Sequence, residues 1–209
     1  KLLNPGGTDI LKEMSNVPIA GDPIHYWYGD LKGSSVFADI ACDTAGIYAC
    51  LDATRGKVFC YSDDGYLLYV FGALGGGDGM FKAPAAVTFH GDNAVVLDKE
   101  RASVTVFQPT RYAALIREAA GLQRELEFDK AAEKWNDVLR LNENFELAHI
   151  AIGKIAMNAG DNAAAMENFL KGNSKSLYSK ALEGYRTQWI YRNLIWVLAA
   201  AAGLALLLA

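Results

Sequence analysis

The chain has little of what marks several common classes of function. There is no excess of positive charge, because twenty Lys and Arg are scattered among twenty-four Asp and Glu for a net charge of −4. A surface that tracks phosphate backbones needs clustered basic side chains, so no nucleic-acid partner is expected. Histidine and cysteine number only three each. His25, His90 and His149 stand at no ligand spacing, and Cys42, Cys50 and Cys60 form no CxxC pair. Metal sites want closer pairs or histidine partners, so buried, reduced thiols are expected, with no metal and no other cofactor. A signal-peptide pattern is missing too. The chain starts at Lys1 and stops inside an apolar run, and it reads as a processed or incomplete piece.

What is present is ample apolar content, 52% of residues, and a conspicuous glycine stretch, "FGALGGGDGMFKAPAAV", from Phe71 to Val87. Phosphate-binding signatures fail there on spacing. A dinucleotide fingerprint through Gly75 and Gly77 would need glycine where Met80 stands, and a Walker loop would need Ser or Thr after Lys82, which Ala83 follows. The stretch reads as a connector between sheets, with Phe81 packing as the loop returns.

An internal repeat is visible when "LDATRGKVFCY" is laid on "LDKERASVTVF" without a gap, at an offset of 46 residues. Leu51/Leu97, Asp52/Asp98, Arg55/Arg101 and Val58/Val104 then coincide, and Tyr61 falls on Phe107. The first unit predicts strands at "FADIACD", "IYACLD", "KVFCYS" and "YLLYVFG", with Asp64-Gly65 as a hairpin signal. The second predicts "AAVTFH", "AVVLD" and "SVTVFQ" and ends at Pro109 without a fourth strand. That period fits four-stranded propeller blades. The text resembles NHL-repeat propellers on Asp52, Arg55, Asp64-Gly65, Phe71-Gly72, Gly79, Phe81 and Pro84. The recurring pairs Asp52/Arg55 and Asp98/Arg101 read as turn-fixing structural pairs, with ligand contact as the alternative. Residues 1–35 look like a long insertion, and further blades are expected upstream of Lys1.

After Pro109 the apolar period becomes helical, from Leu115 and Ile116 through Ala119, Leu122, Phe128, Ala131, Trp135 and Val138. A second hairpin follows 34 residues on, with Ala119 mapping to Gly153, Ala131 to Ala165 and Trp135 to Phe169. Residues 112–176 resemble tetratricopeptide repeats, although Glu143 stands where the loop proline is expected. Asp161 is the expected cap after Gly160, and a third helix is expected from about Ser174. The closing stretch "WIYRNLIWVLAAAAGLALLLA" reads as a transmembrane helix that is not complete, with Trp189, Tyr191 and Trp196 as an interfacial belt.

The expected fold class is therefore multidomain: partial all-β propeller blades over residues 1–111, all-α tetratricopeptide hairpins over 112–187 and a membrane helix over 188–209. Taken whole, the arrangement resembles a bacterial membrane-protein family in which an NHL-type propeller and tetratricopeptide hairpins precede a Yip-family membrane domain. The stretches that carry this are "LDATRGKVFCYSDDGYLLYVFGALG", "VFQPTRYAALI", "AAEKWNDVLRLN" and "IGKIAMNAGDNAAAMENFLKGN". The resemblance implies a cell-membrane protein with extracytoplasmic soluble domains, although the basic residues Lys171, Lys175, Lys180, Arg186 and Arg192 before the span favour the cytoplasm by charge alone. It also implies carbohydrate ABC transporter subunits as protein partners. The expected function is a non-enzymatic, membrane-anchored interaction or scaffold module. Two alternatives stay open. One is a propeller lactonase or lyase in which Asp39, Asp43, Asp52 and Asp98 hold a metal, and the other is a carbohydrate sensor using Tyr26, Trp27 and Tyr28.

Overall fold

A computed structural model describes Gly21 and residues 35–208, with side chains through residue 196 and at Leu198. The chain divides into two compact units, Lys1–Lys134 and Trp135–Ala209.

In the first unit, short runs of β-branched and aromatic residues alternate with Asp/Gly turns, and each run becomes a strand. Strands β1 (Phe37–Cys42), β2 (Tyr48–Asp52), β3 (Lys57–Tyr61) and β4 (Leu67–Phe71) form an antiparallel sheet in chain order. The glycine stretch folds back on itself: β5 (Ala73–Leu74) pairs parallel to β6 (Met80–Phe81), and Phe81 is fully buried. Gly72 must be glycine, since at φ +81° a Cβ would lie 2.7 Å from the Gly56 carbonyl oxygen and 2.8 Å from the Phe81 ring. Strands β7 (Pro84–His90), β8 (Asn93–Asp98) and β9 (Ser103–Phe107) form a three-stranded antiparallel sheet.

The two larger sheets stack, with β7 lying against β1 and β2. Register places Leu51 opposite Val58 and Ala49 opposite Cys60 on one face of the first sheet, all four at 0% exposure. The facing side of the second sheet contributes Val87 opposite Val96 and Ala94 opposite Phe107, and Phe107 meets Phe71 of the first sheet at 4.8 Å between ring centroids. The first sheet's other face buries Cys50, Phe59 and Tyr61, and the Gly21 amide donates to the Tyr61 hydroxyl at 2.7 Å.

Helix α1 (Arg111–Arg124) starts directly after β9, its first turn capped by the Thr110 hydroxyl, and α2 (Phe128–Leu141) contains the boundary between the two units. The second unit continues with α3 (Glu146–Asn158), α4 (Asn162–Lys171) and α5 (Lys175–Leu208). Gly160 at φ +83° ends one hairpin arm, and the Asp161 carboxylate accepts the Ala164 amide at 3.0 Å to start the next. Helices α3 and α4 approach closely because Gly153 has no side chain: a Cβ there would sit 2.6 Å from the Phe169 ring.

Three expectations are corrected. Among the described residues the strands form three separate small sheets beside five helices, a mixed β and α architecture with no closed propeller. The repeated Asp-turn-Arg pattern encodes local turn chemistry, which any stacked pair of sheets can use without ring closure. The tetratricopeptide resemblance does not stand either: small residues facing aromatic ones, as at Gly153 and Phe169, are what any closely packed pair of helices uses and do not mark that family. No helix among the described residues is long and apolar enough to cross a membrane. Arg192 and Asn193 interrupt the apolar text of α5.

Candidate functional site on the second sheet

The aspartates at strand ends are committed to the backbone. Asp52, fully buried, accepts the Thr54 and Arg55 amides at 2.9 and 3.2 Å and the Arg55 guanidinium at 3.1 Å. Asp98, equally buried, gathers four amides from two loops: Lys82 at 2.6 Å and Ala83 at 3.1 Å from before β7, and Glu100 and Arg101 at 3.1 and 3.2 Å from its own hairpin. Its arginine partner is looser, at 3.9 Å, and Arg101 donates instead to the Gly75 carbonyl at 2.6 Å. Burial alone would raise both carboxyls. At Asp52 the bonds from Ser35, Arg55 and Thr54 outweigh it, and at Asp98 the four amides do, so both end below the ordinary carboxylate value.

Asp39 accepts the Val87 amide at 2.8 Å, tying β1 to β7, and Asp43 accepts the Ile47 amide at 2.8 Å across the β1–β2 turn. None of the four carboxylates converges with the others. Among the described residues no group of three or more His, Cys, Asp or Glu is arranged to hold a metal.

The residue that sequence reasoning missed is Arg117. Its side chain is 8% exposed, and its Nε lies 2.9 Å from Oδ2 of the fully buried Asp43 while Nη2 lies 3.1 Å from Asp92. Neither Nε nor that Oδ2 has an aligned hydrogen bond, so charge holds the pair. The guanidinium also donates to the Asp92 carbonyl and lies over Phe89, 6.0 Å from the ring centroid. Because Asp43 belongs to the first sheet's β1–β2 turn and Asp92 to the second's β7–β8 turn, one cation on α1 brackets both sheets. Arg124 adds a bond to the Thr44 carbonyl at 3.2 Å. The signal was available: Arg117 sits in the apolar row of Ala113, Ile116 and Ala119, where a charge has to find a partner. Beside this bracket a cleft of about 350 Å³ opens, walled by Phe71, Phe89, Phe107, Pro109 and Tyr112.

The outer face of the second sheet is apolar and open. Leu97 stands opposite Val104 and Val95 opposite Val106, all on one side of the sheet. Leu97 is 42% exposed and Val104 and Val106 are each 57% exposed, whereas Leu51, Val58 and Cys60, 46 positions earlier, are at 0%.

Elsewhere, Ala131, Trp135, Ala165 and Phe169 are buried, as is Gly153 in α3. Ala165 and Phe169 form a core cluster with Ala181 of α5. Trp189, Tyr191 and Trp196 are exposed on α5. Cys50 and Cys60 are buried free thiols, pushed by burial up to about 11 and about 12, while Cys42 is exposed, contrary to expectation. Lys82 lies 3.5 Å from Glu100. Tyr26, Trp27, Tyr28 and His25 lie outside the described residues.

No family model matches the chain, and no curated protein matches it in sequence. That overturns the resemblance to the NHL, tetratricopeptide and Yip-domain membrane family, on which alone the ABC transporter association rested.

Proposed function

We propose that the protein is a non-enzymatic interaction module that binds a protein partner through the outer face of the β7–β9 sheet. The observation that carries this is the unequal burial of equivalent residues: Leu97, Val104 and Val106 are open where Leu51, Val58 and Cys60 are closed. A sheet buries its apolar face against another layer, and a grouped apolar patch on a folded surface is a mark of an interaction site. The lactonase or lyase alternative is disfavoured by chemistry on the same sheets. Asp39, Asp43, Asp52 and Asp98 spend their oxygens on backbone amides and arginines, which leaves no convergent carboxylate set for a cation. A photo-crosslinking side chain at Val106, in cells producing the protein, is expected to capture a partner that is lost when Leu97→Glu is added. Equal capture with and without Leu97→Glu, or none, overturns the proposal.

A further inference from the structure

Among the described residues the second sheet has one strand fewer than the first. In the first sheet β4 pairs along β3, Val58 to Phe71, Phe59 to Val70, Cys60 to Tyr69 and Tyr61 to Leu67. The strand 46 positions after β3 is β9, and among the described residues β9 pairs only with β8. An antiparallel edge strand points alternate N–H and C=O groups away from its neighbour, and only another extended chain satisfies such a row along its length. Natural edges are commonly protected by lysine, proline or inward charge. Residues 103–107, "SVTVF", carry none of these and have three β-branched residues.

The cleft walled by Phe71, Phe107 and Pro109 lies where β9 ends, so an added strand would run from that cleft along the edge. By the pairing seen in the first sheet, its residue beside Phe107 would take the place that Leu67 takes beside Tyr61, and its residue beside Val104 the place of Phe71. Both positions are apolar in the internal example.

We infer that the partner enters as an extended, uncharged segment that adds antiparallel to β9 as a fourth strand, with an aliphatic or aromatic side chain seated toward the cleft. This rests on the reading of the second sheet as an interaction surface and specifies its occupant.

The test uses the full chain and a synthetic peptide with the sequence of residues 65–72, "GYLLYVFG", flanked by lysines for solubility. Amide hydrogen exchange is measured by NMR. Alternate amides of residues 103–107 are expected to slow roughly tenfold at saturating peptide, while a peptide with proline at the positions of Leu68 and Val70 leaves them unchanged. Unchanged β9 amides with the first peptide overturn the inference. Methyl shifts at Leu97, Val104 and Val106 without amide slowing also overturn it, but place the peptide on the sheet face and leave the proposed function standing. Equal slowing by both peptides means that no strand pairing occurs, and overturns it as well.

Discussion

The two stacked sheets are built from the same local text and live in different surroundings. In the first, Leu51, Val58 and Cys60 are buried on one face and Cys50, Phe59 and Tyr61 on the other, where Ile40 and Val70 stay exposed. In the second, Val87 and Val96 are covered and Leu97, Val104 and Val106 are open. Local chemistry decides where a chain turns, and it is nearly indifferent to what covers the strands between turns. The open side is therefore the informative one, since an apolar choice there is not explained by the fold that is seen.

The sharpest test of this contrast is a matched pair of substitutions, and its larger member is Val58→Glu. It places a charge where there is no exposure and no partner, and is expected to cost on the order of 5 kcal/mol or to prevent folding, read by urea denaturation. Next is the bracket that holds both sheets. Arg117→Met leaves the Asp43 carboxylate buried and unpaired and should cost about 3–5 kcal/mol, part of which Asp43→Asn in the same chain recovers. No loss of stability in the single variant would show that the sheets stay together without α1.

A smaller effect comes from acid. Asp52 and Asp98 have their carboxyls held below the ordinary value of 3.8, so their contribution is full above that value and is lost as pH falls through their folded values. Asp52→Asn is expected to flatten the acid limb of a stability-versus-pH curve, and an unchanged limb would mean that its hydrogen bonds persist in the unfolded chain. Smallest is the partner of the first substitution. Val104→Glu should change stability by no more than about 0.5 kcal/mol while removing partner capture. A large loss of stability there would show that this face is already covered within the molecule.

Much of the element pattern was legible because its causes are local. Asp64-Gly65 marks a turn by its own backbone preferences, and in the structure Gly65 sits at φ +86° between β3 and β4. The Asp161 cap and the helix start near Ser174 follow from the same kind of short-range rule. What was not legible depends on distance. The offset of 46 residues shows two similar units and says nothing of how many stack or whether a ring closes. Arg117 could be seen as an oddity in an apolar row, but Asp43 and Asp92 are 74 and 25 residues away in sequence. Helix α5 was misjudged because the aromatic residues at its middle, Trp189, Tyr191 and Trp196, are as consistent with an exposed helix as with a membrane interface.

The four amides gathered by Asp98 have a kinetic consequence. One carboxylate ties the approach to β7 to the β8–β9 hairpin, two segments that the Lys99 amide also joins by donating to the Ala83 carbonyl at 3.1 Å. Opening the hairpin carries the carboxylate away from the Lys82 and Ala83 amides, so the approach to β7 opens with it. The three-stranded sheet then lets go as one cooperative block, and an outer strand that docks on β9 would slow the release of residues as distant in sequence as Lys82 and Ala83.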